Sequence, residues 1–144
     1  MTRPQCTYWS LIAVTAGLAL SGCNSRIPTY PTQGKVVYKA DGKPVTGGVI
    51  VWFESTTPPY HRSSSDVDSE GRFSLGFIQA DSGAIEGEHR IRFAPSPPFF
   101  EKSEDALAKR MHPRYHEFST SGLKQTIVKG KNEVVIEVEG PAER

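Results

Sequence analysis

From Glu88 to Phe93 the chain reads Glu-His-Arg-Ile-Arg-Phe, with a charge at every second position and His89, Ile91 and Phe93 between. Successive side chains of a β-strand point to opposite faces, whereas an α-helix repeats every 3.6 residues, so this spacing is that of a strand with one wet and one covered face. The same period recurs. Val36, Tyr38 and Ala40 alternate with Lys35 and Lys39; Phe73, Leu75 and Phe77 share one face of Arg72–Ile78; Glu133, Glu137 and Glu139 face outward beside Val134–Val138. Val49–Glu54 is more continuously apolar, as in a strand covered on both faces for part of its length, and Lys124–Val128 makes a further strand.

Glycine, proline and aspartate punctuate these runs. Asp41-Gly-Lys-Pro, Asp66–Gly71 and Gly130-Lys-Asn132 are turn signals, and Thr56–Ser65, with Pro58 and Pro59, reads as a loop leading to a short edge strand. Pro95-Ser-Pro-Pro98 is incompatible with a central strand. After it, Ser103 is placed to cap a short helix over Glu104–Met111, acids first and Lys109 and Arg110 last, with Pro113 as its stop. Some seven closely spaced strands with one helical insertion predict an all-β fold, a seven-stranded antiparallel β-sandwich with one short helical insertion.

The N-terminus follows a different rule. Arg3 precedes an apolar run from Trp9 to Leu20, about a dozen residues and too short to span a bilayer as a helix. The run closes on Leu20-Ser21-Gly22-Cys23, which resembles the lipobox of a bacterial lipoprotein precursor. That resemblance implies recognition of Leu20, Ser21 and Gly22 by the processing machinery, cleavage after residue 22, and acylation of Cys23. Two or three acyl chains hold a protein to a membrane where one does not. Asn24 rather than an aspartate follows the cysteine, which favours an outer membrane over an inner one. The expected organisation is a signal over 1–22, a lipidated tether over 23–32 stiffened by Pro28 and Pro31, a domain over 33–139, and a frayed tail over 140–144.

Processing alters the composition. The whole chain carries 17 basic and 16 acidic residues, and loss of Arg3 with the signal evens that balance. An even charge without single-sign runs argues against a nucleic-acid partner. The two cysteines are Cys6, discarded, and Cys23, lipidated, so the domain has no thiol for a disulfide, metal site or nucleophile. Roughly 120 residues must hold together by packing alone.

Gly34-Lys-Val-Val, Asp41-Gly-Lys-Pro-Val and Gly47-Gly-Val-Ile-Val-Trp-Phe53, in that order, resemble the opening of carboxypeptidase-regulatory-like or transthyretin-like domains. Asp68-Ser-Glu-Gly-Arg-Phe73 resembles their next hairpin, Gly87–Phe93 the strand after it, and His112-Pro-Arg-Tyr115 with Ser119-Thr-Ser-Gly-Leu123 a late segment of small lipoproteins of this type. The resemblance implies a prealbumin-like sandwich and no single function. The hydroxyisourate hydrolases of that fold end in Tyr-Arg-Gly-Ser; this chain ends Gly140-Pro-Ala-Glu-Arg144 and lacks the motif.

Four groups are candidate sites. Asp66, Asp68, Glu70 and Gly71 imitate the start of a calcium loop, but the twelfth position is Phe77 instead of a bidentate glutamate, so a tight turn is the simpler reading. His112 and His116 have the spacing of two metal ligands on a helix, yet Pro113 interrupts that helix; they are weak metal candidates, and no metal or other cofactor is expected. Trp52, Tyr60, Phe99 and Phe100 are candidates for an aromatic binding surface, against the alternative that the loop folds back over a sheet edge. Lys35 or Lys39 with Asn132 is a candidate isopeptide pair, opposed by the outward placement of both lysines. The function expected is a non-enzymatic envelope module, anchored in the membrane through Cys23, with a protein or polysaccharide partner. A metal-assisted hydrolase or a structural spacer is the alternative.

Overall fold

A computed structural model of the chain describes residues 26–97 and 103–142. In chain order the elements are β1 (Thr29–Tyr30), β2 (Thr32–Tyr38), β3 (Val49–Ser55), β4 (Arg62–Asp66), β5 (Arg72–Ser74), β6 (Ala84–Ile85), β7 (Gly87–Pro95), α1 (Ser103–Ala108), a 3-10 turn (Pro113–His116), α2 (Phe118–Ser121), β8 (Lys124–Ile127) and β9 (Asn132–Val138). A three-stranded sheet in the order β5-β2-β9 faces a four-stranded sheet in the order β4-β3-β7-β8, and β1 pairs separately with β6. These are the seven sandwich strands expected, with a two-residue clasp added.

The inward positions follow the period-two pattern. Val49, Val51 and Phe53 of β3 and Ile91 and Phe93 of β7 are buried against Val36 of β2, Phe73 of β5, and Val134, Ile136 and Val138 of β9. The Phe53 and Phe73 rings lie 6.0 Å apart and join the two layers. Burying each such side chain contributes about 1.5–3 kcal/mol before chain entropy is set against it.

Four expectations need correction. The sandwich is not antiparallel throughout: β2 and β9 run parallel, from Thr32↔Asn132 to Tyr38↔Val138. Alternation specifies which face is covered and leaves strand direction open. The helix is shorter than Glu104–Met111, and Pro113 opens the next turn instead of only closing the last. Its ring needs no N–H at that position, and the His112 ring accepts the Arg114 N–H at 3.2 Å. β4, which takes in Ser63–Ser65, is the short edge strand expected after the loop, and Ser63 is buried. The run to Ile78 ends early at Ser74. There the Ser82 hydroxyl accepts the Phe77 N–H at 2.9 Å and Gly83 N–H donates to Leu75, folding 76–83 into a loop. Pairing also begins at Thr29, ahead of residue 33.

The strands give the sandwich two distinct ends. At the near end β2 and β9 begin, β3 and β8 finish, and the loops 56–61, 76–83 and 128–131 emerge. The far end carries the turns at 39–43 and 67–71, and β7 arrives there with Pro95 opposite Val49. A seven-residue strand separates the ends by about 20 Å.

Candidate functional site

Cys23 and its recognition residues Leu20, Ser21 and Gly22 lie outside the described residues, as do Phe99 and Phe100. The other two members of the expected aromatic surface are apart. Trp52 is half-buried in mid-sheet on β3, whereas Tyr60 is 59% exposed in the near-end loop beyond that strand. The strand leading toward Phe99 ends at Pro95, opposite Val49 at the far end. The described part of the chain therefore does not assemble Trp52 and Tyr60 into one platform.

What does assemble around Trp52 is a cationic cluster on the outer face of the four-stranded sheet. Register places Glu54 between Arg62 of β4 and Arg90 of β7, and Trp52 opposite Arg92. Glu54 is only 5% exposed. Its carboxylate accepts from Arg62 Nε at 2.6 Å and from an Arg90 Nη at 2.7 Å. Burial alone would raise its pKa; the hydrogen bonds and charges of Arg62 and Arg90 outweigh that and hold it below the usual carboxylate range. Phe118 at the start of α2 lies against all three guanidinium groups, with its ring centre 5.6, 5.8 and 5.2 Å from Arg62, Arg90 and Arg92. Arg92 also lies 5.7 Å from the Trp52 ring. Such contacts contribute about 0.5–1 kcal/mol each where partly exposed. Trp52 Nε1 and Arg90 Nε are buried with no hydrogen-bond partner among the described residues.

Chemically the cluster is locked. Its one carboxylate is bound on both oxygens, and the guanidinium groups it holds lie against Phe118, linking the helical segment to the sheet. Sequence reading placed Arg90 and Arg92 on an outward face but missed Glu54, Arg62 and Phe118 as their partners. The only local signal was a glutamate inside the apolar run Val49–Glu54.

His112 and His116 bracket the 3-10 turn, and the His112 ring caps it. No group of three or more His, Cys, Asp or Glu close enough to hold a metal occurs among the described residues. In the turn resembling a calcium loop, Asp68 accepts from the backbone N–H groups of Glu70 and Arg72, each at 2.8 Å. Those bonds lower its pKa and use it as a turn lock. Lys35 and Lys39 are exposed. Asn132 opens β9 and is spent on its own turn, donating to the Val128 and Gly130 carbonyls and accepting the Val128 N–H.

His89 is a titratable group buried in the core. It is 1% exposed, its ring centre is 6.2 Å from that of Phe53, and its Nδ1 lies 2.9 Å from the Gly87 carbonyl. Burial lowers its pKa and the Gly87 carbonyl only partly opposes this. The unfolded chain therefore binds a proton near pH 6.5 that the folded chain refuses. Stability is expected to be full above that pH and to fall as pH drops below it, at no more than about 1.4 kcal/mol per pH unit. Urea midpoints at pH 7.5 and 5.5 test this: His89→Gln should flatten the difference, and an equal difference in both proteins would assign it elsewhere.

A concavity of about 930 Å³ lies on the outer face of the three-stranded sheet. Gln33, Lys35, Arg72, Ser74, Asp68 and Glu133 line it and supply donors and acceptors of both charges. Val135, 69% exposed, adds an apolar spot.

No family model matches this sequence, and no curated protein matches it. Among solved structures, a DUF3823 family protein from Bacteroides uniformis aligns with 78% of this chain and 44% of its own, at 18% identity and a TM-score of 0.47. The chain thus spans less than half the length of that protein.

Proposed function

We propose that this protein is a bacterial lipoprotein of the cell envelope, held by acyl chains on Cys23, that serves as a non-enzymatic interaction module of the carboxypeptidase-regulatory-like, transthyretin-like type. The observation that carries the reading is Leu20-Ser-Gly-Cys23 closing a short apolar run behind Arg3. The seven-stranded sandwich is the fold that the resemblance implies. Among the described residues no helix is long and apolar enough to cross a membrane. Asn24 favours the outer membrane. The partner is a protein or polysaccharide, and the polar concavity over β5, β2 and β9 offers hydrogen bonds of both signs to such a surface.

Fatty-acid labelling in a bacterial host tests the anchor. Cys23→Ser is expected to abolish the label and leave an uncut precursor, whereas normal labelling would overturn the reading. Metal analysis tests the non-enzymatic part: stoichiometric zinc that disappears in His112→Ala would replace it with a metal-assisted hydrolase.

A further inference from the structure

Exposed apolar side chains are gathered at one end of this sandwich. Among the described residues five large hydrophobics are markedly exposed: Ile27 (45%), Tyr60 (59%), Ile78 (85%), Val128 (55%) and Val135 (69%). The first four belong to four separate near-end segments: the chain leading into β1, the loop after β3, the loop after β5 and the turn between β8 and β9. Ile27 and Ile78 line one groove of about 480 Å³ with Phe77 at its side, and the Phe77 ring meets His61 edge-on at 5.2 Å. Arg26 borders the same groove, and Lys129 and Lys131 stand exposed in the turn beside Val128. The exposed acids of this end are Asp81, Glu86 and Glu133, the last accepting from Gln33, with Glu88 already paired to Lys124. The far end carries instead the turns with Asp41, Asp68 and Glu70.

The covalent chain says what meets the near end. Only Asn24 and Ser25 stand between Cys23 and Arg26. A peptide reaches at most about 3.5 Å per residue, so acyl chains on Cys23 hang within about 11 Å of Arg26. An anchor that short brings the near end down to the headgroups, where apolar side chains ringed by lysine and arginine are favoured, most of all over anionic lipid.

We propose that the near end is a membrane seat: Ile27, Ile78, Tyr60 and Val128 enter the headgroup region of the bilayer that holds Cys23, and Arg26, Lys129 and Lys131 meet its phosphates. The domain then stands upright, with its far-end turns presented away from the lipid. This inference rests on the lipid-anchor reading.

The processed domain has no free thiol, so single cysteines can report position. The lipidated full-length protein carrying Ile78→Cys, or Asp68→Cys at the far end, is labelled with an environment-sensitive fluorophore. It is then reconstituted in phosphatidylethanolamine–phosphatidylglycerol vesicles containing nitroxide lipids. Ile78 is a safe site because its side chain is almost wholly outside the fold. The Ile78 probe is expected to shift to the blue and lose intensity to the nitroxides, and the Asp68 probe to do neither. Vesicle-bound protein whose Ile78 probe stays as water-exposed as the Asp68 probe would overturn the seat and leave the anchor standing. A blue shift without nitroxide quenching would mean that protein covers the patch, and would also overturn it. Failure of the protein to float with vesicles would remove the anchor and the seat together.

Discussion

Replacing Glu54 with alanine is expected to lower the unfolding free energy by about 2–3 kcal/mol. Removing one partner from a buried ion pair typically costs 3–5 kcal/mol, because the other charge is left uncompensated. Here the carboxylate side chain is 7% exposed, but Arg62 and Arg90 are 56% and 38% exposed, so water screens part of the loss. What remains is an arrangement of three guanidinium groups around Phe118 with no anion among them. Glu54→Gln retains an acceptor and should lose less. Urea unfolding reads both variants, and an unchanged midpoint for Glu54→Ala would show that the cluster does not hold the helical segment to the sheet. The pH dependence has a definite sign. The folded pKa of Glu54 lies below its unfolded value, so its contribution is complete above the ordinary carboxylate range and is lost as pH falls through the folded value.

Gly71→Val is expected to cost about 3 kcal/mol, from two separable causes. Gly71 has φ +77°, where a β-branched residue is strained by about 1–3 kcal/mol. A Cβ would also stand 2.7 Å from the Val36 carbonyl oxygen and 2.9 Å from Pro44 Cβ. The turn cannot retreat freely, because the Val36 N–H donates to the Gly71 carbonyl at 2.8 Å and pins the turn to β2. Gly42 provides the control, with φ +69° and open space where its Cβ would be. Gly42→Val should show the backbone strain alone. Equal losses in the two variants would remove the close approach from the explanation, and no loss at Gly71 would show that the turn does not need glycine.

Much of the sandwich was legible because alternation is local. Val36, Phe73, Ile91, Phe93, Val134 and Ile136 are inward in the pattern and buried in the fold. The Asp66–Gly71 turn was likewise legible as a turn. The missed features depend on partners far away in the chain. Arg90 and Arg92 read as solvated charges because nothing beside them announces Glu54 or Phe118, which arrive from another strand and from α2. The run to Ile78 read as strand to its end because Phe77 fits the period. It leaves the sheet because Ser82 and Gly83 return to bond Phe77 and Leu75.

By itself the sequence determined the strand faces, the turns and the small number of residues between Cys23 and the first strand. Each is set by neighbouring residues through backbone geometry or covalent length. Only the tertiary structure decided that β2 and β9 run parallel, that Glu54 is enclosed by arginines, and that Ile27, Tyr60, Ile78 and Val128 emerge at one end. The physical reason is that a period of two fixes which side of a strand is covered, while the ends of a sandwich are built from loops remote in sequence. Their proximity exists only once the two sheets have packed.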